Sequence, residues 1–208
     1  RTPSSGPRGL PTLAFLLACM TRLLHSEQPA EPGKPRTLIL APTRELAIQI
    51  HKDAEQLAAT TGQNIAICYG GKAYEQQKAQ LEQPIDILIG TPGRLIDFFK
   101  QRLYTLKSAE CMVLDEADRM LDMGFLPDIR KILARLPERR QTMLFSATMP
   151  RPIVRLSREL LVDPVRLDVE RPPAPAEGVS QAILPVDEKL KAALLLAMLR
   201  SEEVGTAL

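Results

Sequence analysis

The sequence contains no tryptophan, and aromatic residues make up only 4% of its 208 residues. A core must therefore come from aliphatic side chains and methionine, for which the 45% hydrophobic content is sufficient. No apolar run reaches the roughly 18 residues that a membrane-spanning helix requires. The most apolar stretch, residues 13–24, is interrupted by Arg22 and is followed by no small-residue cleavage site. We predict a cytoplasmic protein without membrane segments.

Cysteine is also scarce. The three cysteines, Cys19, Cys68 and Cys111, are odd in number and far apart, which excludes a complete internal disulfide framework and any metal-ligand spacing. Buried free thiols in a reducing compartment are the expected outcome. The formal net charge of +2 is too small to indicate nucleic-acid binding by itself. Such a partner would require a local basic patch.

Short apolar runs alternate with longer segments of helical period. The predicted strands are 37–40, 65–69, 85–89, 111–114, 142–145 and 165–169. The predicted helices are 13–25, 45–59, 74–81, 94–100, 128–136 and 153–160. Several strands are apolar throughout, as expected for a parallel sheet covered on both faces. The pattern predicts an α/β domain with a doubly wound, mostly parallel sheet.

Residues 170–178 break this alternation, because they hold three prolines and show no periodicity. They predict a linker. Beyond it, residues 180–186 predict one more strand and residues 188–199 one more helix, too little for a whole domain. The expected organisation is a first domain over residues 1–169, a linker over 170–179, and the truncated start of a second domain over 180–208.

Two predicted strands end in polar residues that suit phosphate chemistry. Asp115, Glu116 and Asp118 follow the strand at 111–114. A carboxylate there can hold Mg²⁺ through water, and an adjacent one can orient or deprotonate the attacking water. The alternative is an acidic turn in which Asp118 caps the next helix. Ser146 and Thr148 end another strand, and parallel pairing would place their hydroxyls beside the carboxylates.

Three further strands end in turns that suit anion binding, namely Pro42-Thr43-Arg44, Gly70-Gly71 and Thr91-Pro92-Gly93-Arg94. A helix N-terminus with a guanidinium group is a phosphate-binding arrangement. Each turn alone is a common feature. Three on one sheet edge predict contacts along a phosphodiester backbone. No aromatic residues alternate with them to stack bases, which favours binding without sequence preference.

Taken together, these residues resemble the first RecA-like domain of DEAD-box ATP-dependent RNA helicases, in particular the bacterial branch. The motif Asp115-Glu116-Ala117-Asp118, "PTRELA", Gly70-Gly71, "TPGR" and "SAT" occur in the family's order between about Thr12 and Val169. The tail resembles the start of the second RecA-like domain. The set as a whole argues against another P-loop motor, such as a DNA helicase or a transport ATPase.

The resemblance implies a RecA-like P-loop NTPase fold, ATP and Mg²⁺ as cofactors, and RNA as a partner bound through its backbone. It implies an ATP-hydrolysing RNA helicase that remodels short duplexes by nucleotide-driven domain closure. Protein partners in an RNA-processing or decay assembly are a further expectation.

The resemblance also implies roles for individual residues. Asp115 would belong to the magnesium shell, Glu116 would be the catalytic base, and Asp118 would complete the catalytic set. Ser146 and Thr148, with Asp118, would couple nucleotide state to RNA binding. The implied RNA contacts are Pro42, Thr43, Arg44, Gly70, Gly71, Thr91, Gly93 and Arg94.

The same comparison places Thr12 at the hydroxyl that binds nucleotide and Mg²⁺, with Pro11 at the lysine position and Leu10 at the preceding glycine. Proline offers neither an N–H nor a charge, and leucine resists the positive φ open to glycine. With the N-terminal strand and phosphate loop incomplete, we expect poor ATP binding. The family's arginine finger belongs to the second domain, so we expect no unwinding by this chain alone. The alternative is a non-hydrolysing RNA-binding module with a degenerate phosphate loop.

Basic residues also gather on the predicted helix at 128–136 and its exit: Arg130, Lys131, Arg135, Arg139 and Arg140. A solvated basic face is favoured over a dedicated RNA site for this group.

Overall fold

Five short parallel strands form the centre of the fold in the computed structural model, which describes residues 9–71, 73–168 and 182–201. Along the chain the strands are β1 (Glu31–Pro32), β2 (Thr37–Leu40), β3 (Ile65–Cys68), β4 (Pro84–Ile85), β5 (Ile87–Gly90), β6 (Cys111–Leu114) and β7 (Gln141–Leu144). The central sheet has the order β3-β5-β2-β6-β7, and all four pairings are parallel. The short strands β1 and β4 form a separate antiparallel pair.

Helices cover both faces of the sheet. They are α1 (Gly9–Leu24), α2 (Arg44–Thr61), α3 (Tyr74–Leu81), α4 (Pro92–Lys100), α5 (Ala117–Asp122), α6 (Leu126–Leu133), α7 (Arg151–Leu160) and α8 (Lys191–Ser201). In one core layer, helices α1 and α2 pack against the face of the sheet that carries Ile39. In the other, helices α3 through α7 pack against the face that carries Leu38 and Leu40. Successive strand residues point to opposite faces, so uniformly apolar strands fill both layers. The predicted α/β fold with a doubly wound parallel sheet is confirmed.

Two predicted strands are wrong. Residues 165–168 form no strand, and Val165 and Leu167 are 86% and 85% exposed. Residues 182–186 are likewise irregular, with Ile183 exposed. A segment with a strand-like pattern forms a strand only where a partner strand and a surface to pack against exist, because β-propensity mainly measures that fit. Residues 169, 180 and 181 lie outside the described residues.

The chain divides into two compact units, Arg1–Pro164 and Val165–Leu208. The second contains a 3₁₀ turn at Glu188–Leu190 followed by α8, where the sequence predicts a helix over 188–199. The predicted linker, residues 170–179, lies outside the described residues, and the domain boundaries stay a prediction. Among the described helices, none is long and apolar enough to cross a membrane.

Candidate functional site

The five motifs follow the carboxyl ends of the five central strands. Register pairs align Cys68, Gly90, Leu40, Leu114 and Leu144 in one row across the sheet. We call the turns that follow this row the carboxyl edge. Neighbouring strands lie about 4.8 Å apart, so the row spans roughly 19 Å. The glycine and arginine turns follow β3, β5 and β2, and the carboxylates and hydroxyls follow β6 and β7. The edge therefore has two adjacent halves.

Asp115 is the buried member of the acidic half. It is 7% exposed, its N–H donates to the Leu40 carbonyl at 3.0 Å, and its Oδ1 accepts the Glu116 N–H at 3.0 Å. Burial raises the pKa of Asp115 to about 6, and the nearby Glu116 charge adds to this, against the lowering effect of the Glu116 N–H. The ionised carboxylate is thus poorly solvated, which is the condition under which a cation is most strongly held.

Glu116 adopts a left-handed backbone conformation, with φ 50° and ψ 52°. A non-glycine residue in that region is uncommon and strained by about 1–3 kcal/mol. Its carboxylate is partly exposed and pairs with Arg119 Nη1 at 3.2 Å. The strained turn separates the two carboxylates, since Asp115 is buried and Glu116 reaches solvent.

Asp118 joins the acidic strand end to the hydroxyls after β7. Its Oδ2 accepts the Thr148 N–H at 2.9 Å and the Thr148 hydroxyl at 2.8 Å. Its own N–H donates to Ser146 Oγ at 3.1 Å, and Ser146 Oγ donates to the Thr148 carbonyl at 2.7 Å. Burial alone would raise the pKa of Asp118, but the hydrogen bonds from Thr148, Ser146 and the Arg119 N–H hold it below its usual range. The carboxylate is therefore fixed as an anion by the neighbouring turn.

The other half of the edge presents two arginines held by aromatic rings. The Arg44 guanidinium lies 5.0 Å from the centre of the Tyr69 ring. Arg94 lies 4.9 Å from the Tyr74 ring and 5.1 Å from the Phe98 ring. From the sequence we expect no aromatic residues that stack bases at these turns. In the structure the rings of Tyr69, Tyr74 and Phe98 contact guanidinium groups. The rings pack against guanidinium groups, which restricts the arginine side chains.

The backbone of the turns in this half of the edge adds groups that can bind an anion. Thr43 caps α2 by accepting the Leu46 N–H at 3.3 Å, whereas Thr91 makes no side-chain cap bond at the start of α4. The first amides of a helix have no intrahelical partner, so those of Gly93 and Arg94 are available to an anion. Gly71 has φ 110°, and a Cβ there would meet Arg44 Nη1 at 3.2 Å. Glycine at this position leaves room for the guanidinium. Pro42 is buried, and Gly70 is exposed beside Gly71.

Gln77 is a site residue that sequence reasoning misses. It is buried, and its Oε1 accepts the Tyr69 N–H at 3.0 Å and Arg94 Nη1 at 3.2 Å. It therefore fixes the turn after β3 and the arginine after β5 relative to each other. Nothing in the pattern of α3 distinguishes Gln77 from its exposed glutamine neighbours. The pairing of Arg119 with Glu116 is missed for the same reason.

The nucleotide side fits a magnesium ion better than it fits the phosphates. In the described residues no group of three potential ligands could hold a metal alone. Asp115 supplies one buried carboxylate, and Mg²⁺ usually binds one or two carboxylates and completes its shell with water and phosphate oxygens. Helix α1 begins at Gly9, so Leu10 and Pro11 lie in its first turn and Thr12, 3% exposed, follows them. Pro11 supplies neither the charge nor the amide that a phosphate loop needs. Residues 1–8 lie outside the described residues.

Replacing Asp115 with asparagine is expected to stabilise the domain at pH 8 by about 2–3 kcal/mol. The folded pKa is raised from 3.8 to about 6, so protonation stabilises the native state below pH 3.8 and this stabilisation is lost as the pH rises through 6. Asparagine removes the buried charge and keeps an oxygen for the Glu116 N–H. The gain should vanish near pH 4.

Urea unfolding without Mg²⁺ at pH 4 and pH 8 measures this difference. Asp122→Asn, which neutralises an exposed carboxylate on α5, is the matched control and should show no such pH-dependent gain. An Asp115→Asn variant that is less stable than the parent at pH 8 would contradict the explanation.

Comparison with known proteins places these motifs in a known group. Residues 12–156 match the DEAD/DEAH box helicase family. The chain is 49% identical to the ATP-dependent RNA helicase RhlB of Xanthomonas oryzae pv. oryzae over 201 residues, covering 94% of this chain and 35% of the relative. It is 44% identical to RhlB of Vibrio vulnificus over 195 residues, covering 92% and 45%. The chain thus spans roughly a third to a half of these relatives.

Solved structures give the same result for the fold. A DEAD box protein from Methanococcus jannaschii matches with a TM-score of 0.66 and 37% identity, covering 78% of this chain and 42% of the other. The yeast DEAD-box splicing factor Prp28 matches with a TM-score of 0.68 and 32% identity, covering 77% and 38%. The expected RecA-like fold is confirmed by these matches.

Proposed function

The chain belongs to the DEAD/DEAH box helicase family, and from that premise we propose that it forms the RNA-binding and nucleotide-coupling domain of an ATP-dependent RNA helicase. The hydrogen-bonded group Asp118, Ser146 and Thr148 is the observation that carries this proposal. It links the acidic strand end to the turn after β7 through three hydrogen bonds of 2.8–3.1 Å. A fourth, from Ser146 Oγ to the Thr148 carbonyl at 2.7 Å, holds the turn itself. A change at either turn is therefore transmitted to the other.

RNA would bind the half of the carboxyl edge formed by the turns after β2, β3 and β5. Arg44 and Arg94 supply charge, the amides of Gly93 and Arg94 supply hydrogen-bond donors, and Gly70 and Gly71 let a backbone approach closely. The proposed contacts also include Pro42, Thr43 and Thr91, which shape the helix starts. None of these groups can read a base edge when it faces a phosphate. RNA of any sequence should therefore bind.

ATP with Mg²⁺, when bound, supplies the phosphoryl group that is transferred to water. Asp115 would hold Mg²⁺ through water, with the Thr12 hydroxyl as a second metal and nucleotide contact. Glu116 would accept the proton of the attacking water, which requires its carboxylate to leave Arg119. Ser146 and Thr148 would sense the nucleotide through Asp118. The residues around Pro11 weaken the phosphate side of this site.

The complete helicase activity would require more than the first domain. We propose that residues 1–169 form the first RecA-like domain, 170–179 a linker and 180–208 the start of the second domain. Duplex remodelling would depend on closure of two such domains over RNA. The three buried, unpaired cysteines suit a reducing compartment, and we place the protein in the cytoplasm.

Binding of a labelled single-stranded RNA to the 208-residue chain tests the RNA role. We expect the logarithm of Kd to rise with the logarithm of salt concentration with a slope of about 2–4, since each phosphate contact on single strands contributes about 0.7. Fluorescence anisotropy over a salt series measures it. Two RNAs of unrelated sequence should bind within about threefold of each other, as expected for contacts to the backbone alone. A tenfold preference for one sequence, or affinity independent of salt, would contradict backbone recognition.

A further inference from the structure

A second concave site lies away from the carboxyl edge. A cavity of about 780 Å³, open to solvent on one side, is lined by α4, α6 and its exit, residues 32–34 and residues 102–106. Helix α4 starts at the carboxyl edge after β5 and runs back, so its last residue, Lys100, lies towards the amino ends of the strands. Residues 32–34 and 102–106 precede β2 and β6 in the chain. The cavity therefore belongs to the opposite edge of the sheet from the proposed RNA and nucleotide site.

The described residues that line this cavity are basic and apolar, and none of them is a carboxylate. Five of its residues are cationic: Lys34, Lys100, Arg102, Lys131 and Arg135. The apolar part consists of Ile96, Phe99, Leu103, Leu106 and Ile132. A volume of about 300–1,000 Å³ with an apolar lining and a few convergent polar groups is typical of ligand pockets. Its size thus suits one or two large side chains of a partner.

Three of the five cations have no acidic partner among the residues that the structure describes. Lys34 pairs with Glu31 at 2.6 Å, and Lys131 pairs with Asp128 at 2.9 Å. Within the part of the chain that the structure describes, no ion pair forms at Lys100, Arg102 or Arg135. Their positive charge is therefore available to a ligand.

Arg102 occupies a backbone position that favours glycine. It follows the α4 cap residue Gln101 with φ 60°. Its N–H donates to the Phe99 carbonyl at 2.9 Å, and the Leu103 N–H donates to the Phe98 carbonyl at 3.1 Å. This is the Schellman arrangement, in which the left-handed residue is usually glycine. An arginine there destabilises the turn but adds a guanidinium to the cavity, a combination that is typical of functional positions.

We propose that this cavity binds an acidic segment of a partner protein, with a large apolar side chain inside it and Asp or Glu residues against its cations. Charge complementarity selects the acidic flanks, and the apolar lining selects the central side chain. Single-stranded RNA fits less well because its charged backbone would leave the apolar lining without a partner. Its bases would also find no open ring among the described residues of the cavity on which to stack. Tyr104 is buried with its hydroxyl bonded to the Leu95 carbonyl, and the Phe99 ring carries the Arg135 guanidinium at 5.1 Å.

The probe is a fluorescein-labelled peptide in which Leu-Phe is flanked on both sides by Asp and Glu. Anisotropy with the full chain should show saturable binding that Arg102→Gly weakens about fivefold to tenfold and Arg135→Glu weakens further. Arg102→Gly should also raise the urea midpoint of unfolding, because glycine relieves the left-handed strain. Loss of binding in a more stable protein cannot come from misfolding.

Matched controls separate the alternatives. Arg158→Ala removes an exposed charge on α7 and should leave binding unchanged. Peptides with Asn and Gln for the acids, or Ser-Ser for Leu-Phe, should bind at least tenfold more weakly. The proposal is overturned if the acidic peptide does not bind, if Arg102→Gly leaves its affinity unchanged, or if RNA but not peptide loses affinity in Arg102→Gly and Arg135→Glu.

Discussion

Replacing Arg44 and Arg94 together with alanine is expected to weaken binding of single-stranded RNA about 100-fold. Each guanidinium would make charge-assisted hydrogen bonds to phosphate, and hydrogen bonds to charged groups contribute about 1.5–3 kcal/mol each. The two side chains lie on neighbouring strand ends, after β2 and β5, so one strand of RNA can contact both. Anisotropy titration of the double variant against the parent measures the loss.

The fold should survive this change. Arg94→Ala leaves Gln77 bonded to the Tyr69 N–H at 3.0 Å, and Arg44 is exposed. The matched control is Arg139→Ala with Arg158→Ala, which removes the same charge from exposed positions away from the carboxyl edge and should cost less than threefold, since only the general field of the protein changes. A double lysine variant, Arg44→Lys with Arg94→Lys, should be intermediate, because lysine keeps the charge but loses the planar stacking on Tyr69 and Tyr74. Equal losses in the edge variant and the control would show that only net charge matters.

The sheet could be predicted from sequence because its strands are buried on both faces. The segment 111–114 is apolar throughout, 37–40 is apolar after Thr37, and the structure gives strands with those bounds. The helix at Tyr74–Leu81 also has the predicted bounds. The motifs follow the ends of these strands, and parallel pairing brings residues that follow different strands to one edge, so their common location can also be predicted. The apolar pattern of the strands and the positions of the motifs after them are therefore sufficient to predict the sheet and its carboxyl edge.

Side-chain contacts between distant segments could not be predicted in this way. Gln77, Tyr74 and Arg119 carry no local signal, because their roles depend on which residue lies opposite in the folded chain. The wrong strand prediction at 165–168 is the opposite case, because a local pattern is present there but the structure forms no strand. Val165 and Leu167 alternate with Arg166 and Asp168, as in a half-buried strand, but both apolar side chains are exposed among the described residues. Local pattern indicates what a segment can form, and tertiary contacts decide what it does form.

The left-handed Glu116 and the raised pKa of Asp115 also lie beyond sequence reasoning. Both make the folded state less stable than a neutral turn would be, and both place charged groups where a metal and a water molecule could use them. Arg102, on the opposite edge, also combines a strained backbone with a charged side chain. Strained or poorly solvated positions of this kind indicate function more sharply than composition does.

Replacing Leu10 with glycine and Pro11 with lysine is expected to tighten binding of Mg-ADP by about 10- to 100-fold. The parent lacks the ammonium group and the amide at position 11, and hydrogen bonds to charged phosphate oxygens contribute about 1.5–3 kcal/mol each. For the parent we expect a Kd of roughly 1 mM or weaker, which corresponds to only about 4 kcal/mol. Isothermal titration of both proteins with Mg-ADP and Mg-ATP measures the change.

A second variant separates the backbone from the charge. Leu10→Gly with Pro11→Ala restores the N–H without the ammonium, so its affinity should lie between the parent and the lysine variant. The neighbouring Thr12 is buried and unchanged in all three proteins, and α1 keeps its packing through Phe15, Leu16 and Cys19. Differences in affinity then arise at the two substituted positions. Micromolar affinity in the parent would show that Pro11 does not impair the phosphate site. Equal affinities in the alanine and lysine variants would show that the charge at position 11 does not reach the phosphates.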